Sequence, residues 1–285
     1  MEGPLEVEVT GGRLATYRFG SAEPVVLAVH GITSSSRAWL AVARQLDGTC
    51  SLVAPDLRGR GRSNGLPPPF GVQAYVRDLL AVLDAHGVGR GLVVGHSLGA
   101  YIVARLAADH PERVTGAVLV DGGLTIPGIE GVDPQVFIDA FLGPALARLK
   151  LRFETREDYR AWWRAHPALA TADDVSDEDL NAYADHDLEG DRSSVAEEAV
   201  RTDASELLEI GKAAHRLTVP ATLVSAARGL VNDPNPMQPP ELVEAWVAES
   251  PDNRRAVQVP GTNHYTLTLG SRGAVVVADE IRARL

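Results

Sequence analysis

A serine near the middle of the chain stands in a pattern that can make it a nucleophile. Residues 95–99 read Gly-His-Ser-Leu-Gly, with Ser97 at the centre. The apolar, β-branched run before this motif predicts a buried strand, and the run after it has helical composition. A glycine two residues away on each side permits a sharp turn, which exposes the hydroxyl at the start of a helix. The pattern indicates a nucleophile elbow, although an ordinary strand-to-helix turn uses the same residue types.

A serine hydroxyl needs a base within hydrogen-bond reach before it can attack a carbonyl at neutral pH. We expect His264 to be this base, because it follows the last predicted strand, and sites gather in loops at the carboxyl edge of a parallel sheet. We expect His30 to be structural and His96 to pack inside the elbow. The other histidines fit solvated surface positions: His86, His110, His166, His186 and His215.

The oxyanion that forms during such an attack needs two backbone N–H donors. The first should be Leu98, which directly follows the nucleophile. The second should lie in the loop after the apolar strand at residues 24–29, where Ile32 is the best candidate. Both roles are backbone roles, so the side chains at these positions matter little.

The elements that must position these groups alternate between strands and helices. Continuous apolar runs are typical of strands buried on both faces of a parallel sheet, and they occur at residues 24–29, 50–54, 91–94, 114–120 and 220–226. Helical stretches separate them, the clearest over about residues 72–86. The chain therefore predicts an α/β fold, with a mostly parallel sheet and helices on both faces.

A separate unit interrupts this alternation. From Leu124 to about Ala214 the sequence shows helical patterns and no convincing strand. Residues 124–213 contain 20 acidic against 9 basic residues, which accounts for the whole formal net charge of -11. We expect a core domain formed by residues 1–123 and 215–285, and an inserted helical domain at 124–214.

Composition excludes several classes of function. The net charge of -11 argues against nucleic acid and anionic membrane surfaces as partners. No apolar stretch is long enough to cross a bilayer, and the N-terminal residues do not read as a secretory signal. Cys50 is the single cysteine, so no intrachain disulfide forms. These features favour a cytoplasmic protein.

Four motifs together resemble the enzymes of the α/β-hydrolase fold that carry a helical cap. They are His30-Gly31, the run Asp-Leu-Arg-Gly-Arg-Gly-Arg-Ser at 56–63, the Gly-x-Ser-x-Gly motif, and Gly-Thr-Asn-His at 261–264, in the family's order. The resemblance implies an eight-stranded, mostly parallel sheet and a Ser-His-acid triad. It also implies that residues 124–214 form a cap over the site, and that no metal or organic cofactor takes part.

The acid of the triad has two candidates. In most relatives it follows the strand found here at residues 220–226, but the usual place holds no acid, and Asp233 comes about four residues late. A minority of relatives, including some dehalogenases and lactonases, carry the acid after the preceding strand. Asp121 stands there, 24 positions after Ser97. We favour Asp121 and keep Asp233 as the alternative.

The resemblance implies a serine hydrolase that cleaves a small hydrophobic ester or lactone through an acyl-enzyme. Carbon–carbon bond hydrolysis, cofactor-free peroxidation and acyl transfer use the same residues, and a slow-turnover ligand-binding receptor would keep the same pocket. All four stay open as alternatives. The aromatic residues of the insertion either line this pocket or form the insertion's own core: Phe137, Phe141, Trp162, Trp163 and Tyr183.

Overall fold

The computed structural model describes residues 4–125 and 133–285, without the side chains of residues 134–135, 137–141 and 207–210. Its strands are, in chain order, β1 (Leu5–Val9), β2 (Gly12–Phe19), β3 (Val25–Val29), β4 (Ser51–Pro55), β5 (Gly91–His96), β6 (Val114–Val120), β7 (Leu188–Glu189), β8 (Arg192–Ser193), β9 (Ala221–Ala226) and β10 (Arg254–Val259). Eight of them form one sheet in the order β1-β2-β4-β3-β5-β6-β9-β10, and β7 pairs with β8 alone.

The sheet is parallel except at one edge. β1 and β2 pair antiparallel, and β2 also runs antiparallel to β4, whereas every other neighbouring pair is parallel. β5 lies in the centre between β3 and β6, so that Gly95 faces Val29 on one side and Leu119 on the other. The predicted mostly parallel eight-stranded sheet is confirmed.

Helices lie on both faces of this sheet and also occupy much of the segment between β6 and β9. They are α1 (Leu40–Gln45), α2 (Val72–Ala85), α3 (Leu98–Asp109), α4 (Pro134–Lys150), α5 (Arg156–Arg164), α6 (Asp177–Asp187), α7 (Glu197–Ile210), α8 (Pro240–Ala248), α9 (Thr266–Leu269) and α10 (Ser271–Arg282). Among the helices of the described ranges, none combines the length and the apolar character needed to cross a bilayer.

Alternation along the central strands divides the core into two layers. Successive side chains of a strand point to opposite faces, so Val93 of β5 packs in the cluster that contains Leu79 of α2 and Ile102 of α3. Its neighbour Val94 packs on the other face, with Val277 of α10. Strands buried on both faces in this way explain the continuous apolar runs in the sequence.

The segment between β6 and β9 is helical, as expected, with α4, α5, α6 and α7 in sequence. The short hairpin of β7 and β8 differs from the expectation that no strand occurs here. In this segment Tyr159, Trp163 and Tyr183 are buried in a small apolar cluster, to which Ala38 and Leu269 from other parts of the chain also belong. Buried apolar residues of α4 and α7 pack instead in the large cluster that contains α2 and α3.

Close backbone packing explains why the elbow needs glycine. A β-carbon added at Gly99 would lie 2.0 Å from the carbonyl oxygen of Val29, and one added at Gly95 would lie 2.1 Å from the carbonyl oxygen of Gly99. Real contacts of this kind are well over 3 Å, so no side chain fits without moving β3 away from α3. The glycines therefore fix how closely the turn at Ser97 approaches the neighbouring strand.

We expect Gly99→Ala to lower the free energy of unfolding by at least about 3 kcal/mol, because the clash is with backbone atoms that cannot rotate away. Gly89→Ala is the control, since a β-carbon there meets nothing within 4 Å. Urea unfolding of both variants measures the difference. A Gly99→Ala protein as stable as Gly89→Ala would contradict the packing described here.

Candidate active site

Ser97 lies on a strained turn between β5 and α3. Its backbone has φ 55° and ψ -123°, in a region that non-glycine residues rarely occupy. Strain of this kind costs of the order of 1–3 kcal/mol and persists where the surrounding structure imposes it. The turn leaves the side chain partly exposed at the wall of a small cavity, which His264 and Ile32 also line. Ser97 thus occupies a sharp strand-to-helix turn with its side chain at the cavity wall.

The structure brings His264 and Asp121 together. The imidazole Nδ1–H of His264 donates to Oδ2 of Asp121 at 2.7 Å, and both side chains are buried. This bond fixes the tautomer, because Nδ1 carries the proton and leaves Nε2 with a lone pair. The other carboxylate oxygen, Oδ1, accepts from the backbone N–H of Ala226 at 3.0 Å. Asp121 is therefore held between the histidine and the end of β9.

Asp233, the alternative acid, lies elsewhere. Its Oδ1 accepts from the backbone N–H of Asn235 at 3.2 Å, which is the hydrogen bond of a local turn. The carboxylate packs against Gly229 in the same loop. These contacts fit a turn residue, and the carboxylate that the structure places on His264 is that of Asp121.

Side chains behind the loop after β3 hold three successive carbonyls. His30 Nδ1–H donates to the carbonyl of Gly31, Arg60 to that of Ile32, and Arg148 to that of Thr33, at 2.8, 2.9 and 3.2 Å. Because the peptide unit is planar, fixing these carbonyls also fixes the direction of the following N–H groups. Leu98 stands at the first position of α3, where backbone N–H groups have no partner within the helix.

His96 supports the loop that carries His264. Its Nε2–H donates to the backbone carbonyl of His264 at 2.9 Å, and the two imidazole rings pack with centroids 4.6 Å apart. Burial and the neighbouring His264 hold the pKa of His96 well below its usual value. His96 is therefore neutral, and its Nδ1 has no hydrogen-bond partner within the described residues. The expectation that His96 packs inside the elbow agrees with this placement.

Two cavities meet at this site. The smaller, of about 50 Å³, is lined by Ser97, His264 and Tyr183, among others. The larger, of about 550 Å³, is lined by Trp162 and Trp163. Of the aromatic residues suggested for the pocket, Tyr183 thus reaches the cavity at Ser97, and the two tryptophans line the larger one. The side chains of the other two candidates lie outside the described residues: Phe137 and Phe141.

Sequence reasoning placed His186 on the surface, and this is wrong. His186 is buried, and its Nε2 forms a 2.7 Å hydrogen bond with Oδ2 of Asp56, which lies 130 positions earlier. Burial alone raises the pKa of Asp56, but the contact with His186 and its charge outweigh this and lower it to about 2. Arg148 was missed altogether, because an arginine within an acidic segment carries no sequence signal of burial.

Cation sites are absent from the part of the chain that the structure describes. Within residues 4–125 and 133–285, no three side chains of histidine, cysteine, aspartate or glutamate converge so that they could hold a metal. The buried carboxylates named above instead face nitrogen donors.

The comparison with known protein families agrees with this architecture. The sequence model of the family described as alpha/beta hydrolase fold matches residues 24–266. The chain belongs to this family. Its resemblance to the family, inferred from the four motifs, is confirmed.

Similar proteins have been named for several activities. This chain is 38% identical to Lipase LipV of Mycobacterium tuberculosis over 139 residues. The aligned region covers 47% of this chain and 52% of the relative. It is 39% identical to the putative carbamate hydrolase RutD of Klebsiella pneumoniae over 104 residues. That aligned region covers 36% of this chain and 39% of the relative. The matches thus span about half the length of the first relative and less of the second.

Solved structures show the same fold over the full length. The structure of E-2-(acetamidomethylene)succinate hydrolase superposes with a TM-score of 0.79 at 22% identity, covering 98% of this chain and 96% of that one. The thioesterase domain from the curacin biosynthetic pathway gives a TM-score of 0.75 at 24% identity, covering 98% of both chains. At these identities the likeness concerns the fold alone.

We expect a fall in pH to lower the free energy of unfolding of this alpha/beta hydrolase, because His30 is buried without charge. Burial lowers the pKa of His30 from 6.5 to about 4, and its Nε2 accepts from the backbone N–H of Leu57 at 3.0 Å. Between pH 6.5 and 4, His30 is protonated in the unfolded chain but not in the folded one. The free energy of unfolding therefore falls as the pH falls. His30 alone should remove about 2 kcal/mol between pH 7.5 and 5.

Urea unfolding of the wild type and of His30→Asn at both pH values measures this contribution. The variant should be less stable at pH 7.5, since asparagine cannot make both hydrogen bonds, but it should lose about 2 kcal/mol less on acidification. Equal losses in the two proteins would show that His30 is not the buried neutral base described here.

Proposed function

We propose that this protein is a serine hydrolase that cleaves a small hydrophobic carboxylic ester or lactone. Ser97 is the nucleophile, His264 the base and Asp121 the orienting acid. The observation that carries the proposal is the 2.7 Å contact between His264 and Asp121 beside a cavity that Ser97 shares. The names of the lipase and the putative carbamate hydrolase among the relatives support hydrolysis.

The first half of the proposed reaction begins with the attack of Ser97 on the carbonyl. Nε2 of His264 takes the proton of the Ser97 hydroxyl while the oxygen forms a bond to the carbonyl carbon. The electron pair of the carbonyl moves to its oxygen, and the N–H groups of Leu98 and Ile32 bind the resulting oxyanion. Asp121 stabilises the positive charge that His264 acquires in this step.

The second half returns the enzyme to its starting state. The tetrahedral intermediate collapses, the bond to the alkoxy oxygen breaks, and Nε2–H of His264 protonates the leaving alcohol. A water molecule, deprotonated by the same nitrogen, then attacks the acyl-serine ester. Its breakdown releases the acid and gives the proton back to Ser97.

We also propose that residues 124–214 act as a cap on a core formed by 1–123 and 215–285. Tyr183 of α6 and Leu142 of α4 line the cavity at Ser97, so substrate must pass between the insertion and the core. Buried contacts join the two parts, such as the ion pair between Arg60 and Asp203. Removing water around the reacting carbonyl strengthens every electrostatic contact made there.

Hydrolysis of p-nitrophenyl esters from acetate to octanoate tests the nucleophile. We expect the wild type to release p-nitrophenol, and Ser97→Ala to lower kcat/KM by at least about 10³-fold, because the covalent route is lost. Ser205→Ala is the matched control, since Ser205 is exposed on α7 and bonds only its own helix in the described contacts. Equal rates for wild type and Ser97→Ala would refute the proposal.

A second pair of variants assigns the acid. Asp121→Asn should lower kcat by about 10⁴-fold, because an amide in place of the carboxylate favours the wrong tautomer of His264. Asp233→Asn should stay within a few-fold of the wild type, since Asp233 bonds the backbone of its own turn. Both are measured on p-nitrophenyl acetate. The reverse order of effects would make Asp233 the acid.

A further inference from the structure

The larger cavity has no role in the reaction as written so far. It has a volume of about 550 Å³, within the range of small-molecule sites, whereas the cavity at Ser97 has about 50 Å³, the room of a few water molecules. The two share three walls, namely Ala145, Leu230 and Tyr265. A substrate whose carbonyl lies at Ser97 can therefore extend into the larger cavity past these side chains.

The position of the larger cavity indicates which half of an ester it would receive. Gly31 and Ile32, from the loop after β3 that would supply an oxyanion donor, line the smaller cavity and not the larger one. The larger cavity extends from the shared residues Leu230 and Tyr265, the second of which directly follows His264, to Met237 of the loop after β9. The leaving oxygen must lie within reach of His264 Nε2, because that atom protonates it. The alcohol half therefore points toward the histidine side.

The walls of the larger cavity are aromatic. Ring centroids of Trp162 and His166 lie 5.4 Å apart, those of Trp163 and His166 5.6 Å, and those of His166 and Tyr265 5.0 Å. These separations fall within the range in which aromatic rings attract each other. A further ring inserted among them would extend an existing cluster and would bury apolar surface on each side.

The arginine that lines the larger cavity is already paired with a carboxylate. Arg148 forms a 2.6 Å ion pair with Asp187, and its guanidinium lies 5.1 Å from the ring centroid of Trp163. Burial and the charge of Arg148 lower the pKa of His166 to about 4, so His166 is neutral at neutral pH. Asp233 also lines this cavity, so a negatively charged ligand would lose its hydration here and would meet a carboxylate instead of a free cation.

We propose that the larger cavity binds the alcohol half of the ester, and that this half is an uncharged, ring-bearing group joined to a short acyl chain. This proposal rests on the proposed function, because it assigns the two halves of an ester to positions around Ser97 and His264. It specifies the substrate class, namely esters of an aromatic alcohol with an acid as small as acetic acid.

Two isomeric esters test the assignment. In 2-naphthylmethyl acetate the ring belongs to the alcohol, and in methyl 2-naphthylacetate it belongs to the acid. The released alcohols are 2-naphthylmethanol and methanol, so neither ester has an activated phenol as its leaving group. We expect kcat/KM to be at least about tenfold higher for 2-naphthylmethyl acetate, since the wrong isomer cannot place its ring in the larger cavity. An enzyme that hydrolyses p-nitrophenyl acetate through Ser97 but shows no preference, or the opposite one, overturns this proposal and leaves the proposed function intact.

Met237→Trp tests whether the larger cavity causes the preference. The added ring should fill part of the space, so the ratio of the two kcat/KM values should fall toward one. Val275→Trp is the matched control, because Val275 is exposed on α10, away from both cavities. It should keep the wild-type ratio. The same ratio in all three proteins would show that another part of the chain selects the substrate.

A binding measurement keeps the test independent of turnover. Isothermal titration calorimetry with Ser97→Ala should show binding of 2-naphthylmethanol, and adding Met237→Trp should weaken it by at least about tenfold. Absence of binding to Ser97→Ala would overturn the proposal even if no ester is hydrolysed. Tighter binding of 2-naphthoate than of 2-naphthylmethanol would overturn the claim that the ligand is uncharged.

Discussion

The carboxylate of Asp121 is the point on which the site depends. It is buried, and a buried charge is costly unless each of its oxygens is paired. One oxygen accepts from Ala226 at the end of β9 and the other from His264, while the Asp121 backbone N–H donates to Val224. The residue occupies φ 45°, so the chain turns sharply after β6 to aim the side chain. The position of β9 beside β6 thus determines where the carboxylate of Asp121 lies.

Hydrogen bonds from buried side chains likewise hold the loop after β3. Its carbonyls are held by one neutral imidazole and two buried guanidinium groups, and Arg148 comes from the inserted segment. The segment between β6 and β9 therefore contacts this loop directly, since the residue that bonds the carbonyl of Thr33 belongs to α4. The ion pair between Arg148 and Asp187 offsets part of the free-energy cost of burying the guanidinium charge.

Local sequence patterns predicted much of the fold, whereas contacts between residues that are distant in the sequence could not be predicted. The strands follow from runs of a few residues, and so did the preference for Asp121, which rested on its place after a strand. The contact of Asp121 with His264 and Ala226 could not be derived in this way, because it depends on β6 lying beside β9, from which it is about a hundred residues away in the chain. His186 was placed on the surface for the same reason, since its partner Asp56 is 130 positions away.

Those distant contacts also limit how residues 124–214 could separate from the rest of the chain. Buried polar links join the two parts, among them three: His186 bonds Asp56, Arg60 pairs with Asp203, and Arg148 bonds the carbonyl of Thr33. Separating a buried ion pair costs several kcal/mol unless water replaces the partner. Opening as one rigid body would break all three links at once. Substrate entry is less costly if only the walls shared by the two cavities shift, because Ala145, Leu230 and Tyr265 offer mainly apolar contact there.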